Sequence, residues 1–144
     1  MTDTLIFVPV SSEQALVLLQ ERQLRDLRAF SVTAELLEML EYGQDRLEDA
    51  EFATMTIASV AGLARFGERL VLVAEIPSDT SVAVIDPPNG EIEIDALAIG
   101  QVVAYFAEQD GVDFAPAAAA ANGQSVDDAW EQPEVMALLE TADL

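Results

Sequence analysis

The sequence predicts an α+β fold, a single domain over residues 1–144 with a mixed β-sheet and helices packed against it. A length of 144 residues suits one domain, because two separate cores would be too small. The hydrophobic fraction of 51% is enough for a sizeable core. The element order β-α-β-α-α-β-β-β-β-α-α groups strands in the middle of the chain, which favours α+β over a doubly wound sheet.

The N-terminal segment predicts a strand, a helix and a second strand. Residues 5–10 form a continuous apolar run with β-branched side chains, which is typical of a buried strand. Ser11 and Gln14 have the spacing of a capping box, so we expect a helix that continues to about Asp26. Residues 29–33 predict the second strand. The apolar positions of the helix share one face: Leu16, Leu19 and Leu24.

Two more helices follow. Thr33 is a suitable N-cap for a helix with Leu36, Leu37 and Leu40 on its apolar face, and Gly43 is expected to end it. The longest helix is predicted from Asp45 to about Phe66. Residues 57–64 are apolar or small on every side, so this part of the helix is predicted to be central and buried.

The middle of the chain predicts four strands. Residues 69–76 form the clearest strand candidate, because residues 70–74 are an unbroken apolar run, and residues 99–106 form the last one. Residues 81–85 and 91–95 are expected to form a hairpin around the Pro- and Gly-containing turn of residues 86–90. The second arm of this hairpin alternates strictly, which predicts one wet, acidic face. Its acidic residues are Glu91, Glu93 and Asp95.

The C-terminal segment predicts short helices. Residues 116–121 form an alanine helix that ends at Asn122-Gly123. Residues 125–128 are expected to be a loop or a single turn. Pro133 begins a terminal helix.

The charge of the chain is strongly negative. It contains 27 acidic residues and six basic ones, with a net charge of −21. All six basic residues are arginines, and none follows Arg69. Such a field opposes direct binding to nucleic acid or to an anionic membrane surface, and it attracts a basic protein surface. Solubility or adaptation to a salty cytoplasm is the alternative explanation.

The side chains that many enzymes need are missing. The chain has no Cys, His or Lys, which argues against thiol, imidazole and zinc chemistry of the usual kinds. We therefore predict no cofactor, no metal site and no catalytic residue. Residues 5–10 are too short for the core of a signal peptide, and no run is long enough to cross a membrane, so a cytoplasmic location is expected.

The candidate partner-binding residues fall into two groups. Glu91, Glu93 and Asp95 form an acidic ladder, and its structural explanation is an exposed or edge face kept soluble by charge. Trp130, the only tryptophan, lies between Asp127-Asp128 and Glu131. It either packs the tail onto the core or serves as an aromatic anchor for a partner. Arg22, Arg25 and Arg28 have helical spacing and are expected to pair with neighbouring acids.

Several segments resemble a family of small, acidic, uncharacterised actinobacterial proteins. The matching segments are Val8-Pro9, Ser31-Val32-Thr33, Glu51-Phe52-Ala53, residues 71–77, Ala104-Tyr105-Phe106 and Trp130. Relatives in that family often have His-Val-Asp where this chain has Phe106-Ala107-Glu108, so a site that depends on that imidazole is not expected here. The resemblance implies a bacterial cytosolic protein, and it does not indicate any particular activity.

Together these observations favour a non-enzymatic binding or regulatory protein. Its acidic C-terminal half would contact a protein partner with a basic surface. Three alternatives stay open: a DNA mimic that inhibits a nucleic-acid-binding protein, a carboxylate- or metal-dependent enzyme, and a homodimer that buries an edge strand or the terminal helix.

Overall fold

The computed structural model describes residues 3–41, 44–77, 80, 82–108 and 111–141. Within these ranges, six strands form one sheet: β1 (Asp3–Pro9), β2 (Gln23–Phe30), β3 (Leu70–Pro77), β4 (Ala83–Asp86), β5 (Glu91–Ala98) and β6 (Val102–Ala107). Six helices of the same described residues accompany them: α1 (Ser12–Glu21), α2 (Ala34–Leu40), α3 (Leu47–Phe66), α4 (Ala115–Ala121), α5 (Val126–Trp130) and α6 (Pro133–Thr141). Three short 3-10 turns link them: Gln44–Arg46, Pro87–Asn89 and Ile99–Gln101.

The strand order is β4-β5-β2-β1-β3-β6, and each described strand pair is antiparallel. The α+β class is thus confirmed, but the expectation of a mixed sheet is wrong. A helix connects β1 to β2, yet the chain reverses after it. The left-handed backbone of Arg22 (φ 70°) redirects the chain so that β2 runs back beside β1.

The first helix and the second strand differ from the prediction. Helix α1 does begin after the Ser11–Gln14 capping box, but it ends at Glu21. Leu24 lies on β2, paired with Leu97. When the alternation of buried and exposed side chains along a strand is interrupted, two buried residues can stand three positions apart, as they do in a helix. For this reason the start of β2 was predicted to be part of the helix.

That break has a counterpart in the neighbouring strand. Leu24 and Leu27 join the same apolar cluster although three positions separate them, and Asp26 between them has a positive φ of 55°. On β5, Ile94 and Leu97 show the same spacing and pair with Leu27 and Leu24. The alternation is interrupted at paired positions of β2 and β5, so the residue pairing between the two strands continues without a shift.

Two apolar clusters lie against the sheet. One joins Phe7, Phe30, Val71 and Val73 to helix α3 and to buried residues of α4, α5 and α6. The other joins the opposite side chains of β1, β2, β3 and β5 to Leu18 of α1. The prediction of a central, buried α3 is confirmed, because every residue from 57 to 64 is buried.

No helix in the described ranges has the length and apolar character to cross a membrane.

The remaining predictions on element type are mostly confirmed. Thr33 caps α2, and β4 and β5 form the expected hairpin. Residues 126–130 form a helix where a loop or single turn was expected. The last strand begins later than expected, after a 3-10 turn. Gly43, the expected end of α2, and Ser81, the expected start of a strand, lie outside the described residues.

The hairpin turn is fastened to the chain that precedes α2. The Thr33 hydroxyl accepts from the N–H of Leu36 and donates to the carbonyl of Pro87 at 3.0 Å. The N–H of Ser31 donates to the carbonyl of Gly90 at 2.9 Å. Gly90 has a φ of +75°, and a Cβ there would overlap the carbonyl oxygen of Ser31. Only glycine fits both the backbone conformation and the space.

We therefore predict that Gly90→Ala is much more destabilising than Gly123→Ala. Gly123 has the same φ of +75° but open space around its Cα, so its substitution costs only the left-handed backbone strain of about 1–2 kcal/mol. Gly90→Ala adds about 1–3 kcal/mol of overpacking. Urea denaturation of both variants measures the difference, and equal losses would contradict the close packing at Ser31.

Candidate functional site

A cleft of about 610 Å³ lies beside Trp130. We call it the Trp130 cleft. Its walls come from α2, α3, the hairpin turn and α5: Met39, Leu40, Ala53, Ile57, Asn89, Val126, Asp127, Trp130 and Glu131. Its volume lies in the range of roughly 300–1,000 Å³ that is typical of ligand pockets.

The sequence of α5 determines which of its side chains face the cleft. The Ser125 hydroxyl caps the helix by accepting from the N–H of Asp128 at 3.2 Å. Val126 and Ala129 are buried, and they anchor the helix in the cluster around α3. Helical spacing then leaves Asp127 exposed at the rim and Trp130 half-buried in the wall. Trp130 therefore both packs against the core and faces the cleft.

Asn89 is the only wall residue from the hairpin turn, and only 7% of it is exposed. Its side-chain Nδ2 donates to Asp86 Oδ2 at 2.8 Å and to Asp127 Oδ1 at 3.1 Å. Both donor hydrogens are therefore used by carboxylates from two different elements. The amide links the turn to α5 within the cleft wall.

The cleft combines an apolar interior with an acidic rim. Met39, Leu40, Ile57 and Val126 supply aliphatic surface, while Asp127 and Glu131 supply negative charge. No basic side chain is among the wall residues of the described chain. Such a site suits a group that is apolar along its length and cationic at its end.

The structure separates the predicted partner-binding residues. It brings Asp127 and Trp130 together in the cleft. Asp128 is exposed on the same helix but does not line it. Glu93 and Asp95 are exposed on β5, away from the cleft wall. Glu91 is only 4% exposed, so the expectation of a wholly wet acidic ladder is wrong. The ladder is also not at an edge, because β4 lies outside β5.

Glu91 is buried because two arginines neutralise it. Arg65 Nη2 from α3 lies 2.9 Å from Glu91 Oε2, and Arg28 Nη1 from β2 lies 3.3 Å from it. Arg28 Nε also contacts Glu93 at 3.2 Å. The prediction that Arg28 pairs with acids is confirmed. The helical spacing of Arg22, Arg25 and Arg28 does not reflect a shared helix, because Arg22 ends α1 and the other two lie on β2.

Arg69 is a buried cation, and among the described residues it has no carboxylate partner. Its guanidinium donates to Ser59 Oγ at 3.1 Å, to the Ala107 carbonyl at 3.0 Å and to Met55 Sδ at 3.2 Å. It also lies 5.8 Å from the centre of the Phe106 ring. Burial lowers the pKa of Arg69 because it disfavours the charged form. Its contacts join α3 to β6, so the role is structural.

Sequence reasoning missed most of the cleft wall. Asn89 was recognised only as a turn residue, and Asp86 only as the start of that turn. Met39 and Ile57 were assigned to helices without a cleft. The one available sequence signal for the cleft wall was Asn89, a polar residue between prolines and a glycine in a turn. Within the described ranges, no group of three or more acidic side chains is arranged to hold a metal ion.

The fold and the cleft define an α+β protein with an acidic-rimmed apolar cleft on the helical side of an antiparallel sheet. The chain belongs to DUF6912, a family of unknown function whose model matches residues 4–143. Comparison with curated proteins and with solved structures gives no match.

We predict that Glu91→Gln is destabilising and that Glu93→Gln is nearly neutral. Removing the buried carboxylate charge leaves two guanidinium groups facing each other and weakens charge-assisted hydrogen bonds, at a cost of about 1–3 kcal/mol. Glu93 makes an exposed ion pair, which contributes about 0.5 kcal/mol or less. Chemical denaturation of both variants tests this, and equal stabilities would show that the buried pairs contribute nothing.

Proposed function

We propose that the protein is a non-enzymatic binding module of the cytoplasm that docks a basic protein partner in the Trp130 cleft. The observation that carries the proposal is an apolar cleft with carboxylates at its rim, in a chain with no basic residue after Arg69. Acidic charge alone would explain solubility. Acidic charge placed at the mouth of an apolar cleft also selects what enters it.

The apolar walls supply the affinity in this proposal. Half-buried tryptophan is among the commonest anchors of protein interfaces, because one side chain offers a large apolar surface and a ring N–H. Trp130 is supported from below by the core and faces the cleft above. Leu40 is likewise packed against the core and lines the cleft. A preformed wall of this kind loses little conformational entropy on binding.

The exposed carboxylates supply the selectivity. Glu93, Asp95, Asp127 and Asp128 are all exposed and contribute to the negative field around the protein. Charges at and beyond the rim mainly raise the association rate of a basic partner and repel acidic ones. Salt screens such charges, so the association should weaken as ionic strength rises.

Trp130→Ala should lose the partners that the wild-type protein captures from its native cell extract. The variant removes the aromatic wall, whereas Tyr105→Ala removes an aromatic ring that is 68% exposed on β6 and serves as a control. Mass spectrometry of the captured proteins should show basic partners with the wild type and with Tyr105→Ala. Circular dichroism verifies that both variants are folded. Equal recovery of the same partners by folded Trp130→Ala would overturn the proposal.

Asp127→Asn and Asp128→Asn form a second matched pair. Both remove one charge from the first turn of α5, but only Asp127 lines the cleft. For a captured partner, Asp127→Asn should weaken binding about tenfold through a lost charge-assisted contact. Asp128→Asn should weaken it no more than about threefold, because an exposed charge outside the cleft contributes little. Calorimetry at two salt concentrations measures both effects. Equal effects would mean that the cleft is not the docking site.

A further inference from the structure

We infer that the Trp130 cleft receives the guanidinium group of an arginine side chain from the partner protein. The inference rests on the proposed function and adds the chemistry that the cleft recognises. It depends on an acceptor atom that has no hydrogen-bond partner within the described protein, on a wall residue that is almost completely buried.

That acceptor is the side-chain oxygen of Asn89. The residue is more than nine-tenths buried, and both of its amide hydrogens are donated to Asp86 and Asp127. Because carboxylates can only accept, the amide must present its nitrogen to them and its oxygen elsewhere. No described residue donates a hydrogen bond to Oδ1. Every fully buried side-chain oxygen of the described chain has a hydrogen-bond partner, so an oxygen without a partner cannot be fully buried. Oδ1 is therefore accessible, on a residue that lines the cleft.

Carboxylate oxygens accompany this amide oxygen. Asp127 uses Oδ1 for Asn89, and its Oδ2 has no hydrogen-bond partner among the described residues. Glu131 is exposed at the same wall. Among its described wall side chains, the cleft thus offers several acceptors, while both amide hydrogens of Asn89 are already donated. A ligand group that matches it must carry several donors and a positive charge.

Guanidinium satisfies these requirements better than ammonium does. It has five N–H donors in one plane, so it can contact an amide oxygen and a carboxylate at once. It is also more weakly hydrated than ammonium, and therefore enters an apolar cleft at lower cost. Its flat face stacks on tryptophan, the most favourable aromatic partner for a cation.

The rest of the cleft suits the aliphatic part of the same side chain. Met39, Ile57 and Val126 form apolar walls against which three methylene groups can pack. A cleft of about 610 Å³ is larger than one side chain, so apolar neighbours of the arginine also fit. The expected recognition element is an arginine flanked by apolar residues in an exposed segment of the partner.

The experiment uses the full chain and a blocked peptide, acetyl-Gly-Leu-Arg-Leu-Gly-amide. Trp130 is the only tryptophan, so its fluorescence reports binding in the cleft without a label. Three further peptides replace the arginine with citrulline, lysine or norleucine. Citrulline keeps the shape and loses the charge. We expect the arginine peptide to shift the emission and to bind about ten- to a hundredfold more tightly than the citrulline peptide. The lysine peptide should be intermediate and the norleucine peptide weakest.

Three results would overturn the inference. The first is equal affinity for arginine and citrulline peptides, and the second is a lysine peptide that binds as tightly as the arginine peptide. The third is a norleucine peptide that binds as tightly as the arginine peptide, since the cleft would then recognise apolar surface and no cation. If partner capture still depends on Trp130 in any of these cases, the proposed function stands and only the guanidinium assignment fails. If capture is independent of Trp130, the proposed function fails as well.

Discussion

The hydrogen bonds of Asn89 are the interaction on which the cleft depends. Two carboxylates, Asp86 and Asp127, come from separate elements and would repel each other without a donor between them. The Asn89 amide supplies that donor and is buried in doing so. The hairpin turn is thereby joined to α5, so the position of Trp130 follows from the position of the turn. The same geometry turns the amide oxygen away from both acids and leaves it as an acceptor.

The cleft also follows from how α3 is covered. This helix is buried on every side over residues 57–64, so the sheet alone cannot enclose it. Helices α2, α4 and α5 complete the enclosure, but α2 and α5 are only seven and five residues long. A gap remains between these two short helices over α3. That gap is lined by α3 at its base and by Met39 and Trp130 at its sides.

The charged residues either stabilise the fold or give the surface its negative charge, and the composition alone does not show which residue does which. Arg28 and Arg65 neutralise Glu91 inside the fold, and Arg69 joins α3 to β6. Half of the six arginines are therefore structural, and little positive charge remains to offset the acids at the surface. Asp127 and Glu131 keep their full effect at the cleft for that reason.

The sequence predicted the elements whose patterns are local. The apolar run of β1, the apolar circumference of α3 and the turn before Glu91 each led to the correct element. The prediction failed at β2, because the left-handed residue Asp26 shifts the alternation and places Leu24 and Leu27 on one face. The prediction failed at Glu91 because alternation shows only on which face of the sheet a side chain lies. It does not show that α3 places Arg65 against that face and covers Glu91.

The candidate site was predictable only in part. The composition around Trp130 indicated an anchor among acids, and the structure places Asp127 and Trp130 in one wall. The contribution of Asn89 could not be predicted, because it arises from contact with a residue 38 positions later in the chain. Long-range contacts of this kind depend on the strand order and on helix packing, and neither follows from a local pattern.

The most direct test of the account is a double-mutant cycle across the cleft. It pairs Asp127→Asn in the protein with arginine to citrulline in the peptide, and it uses Asp128→Asn as the parallel control. The account predicts a coupling free energy of about 1–3 kcal/mol for Asp127 and about 0.5 kcal/mol or less for Asp128. Equal coupling at both positions, or none at Asp127, would contradict the claim that the Trp130 cleft recognises a cation.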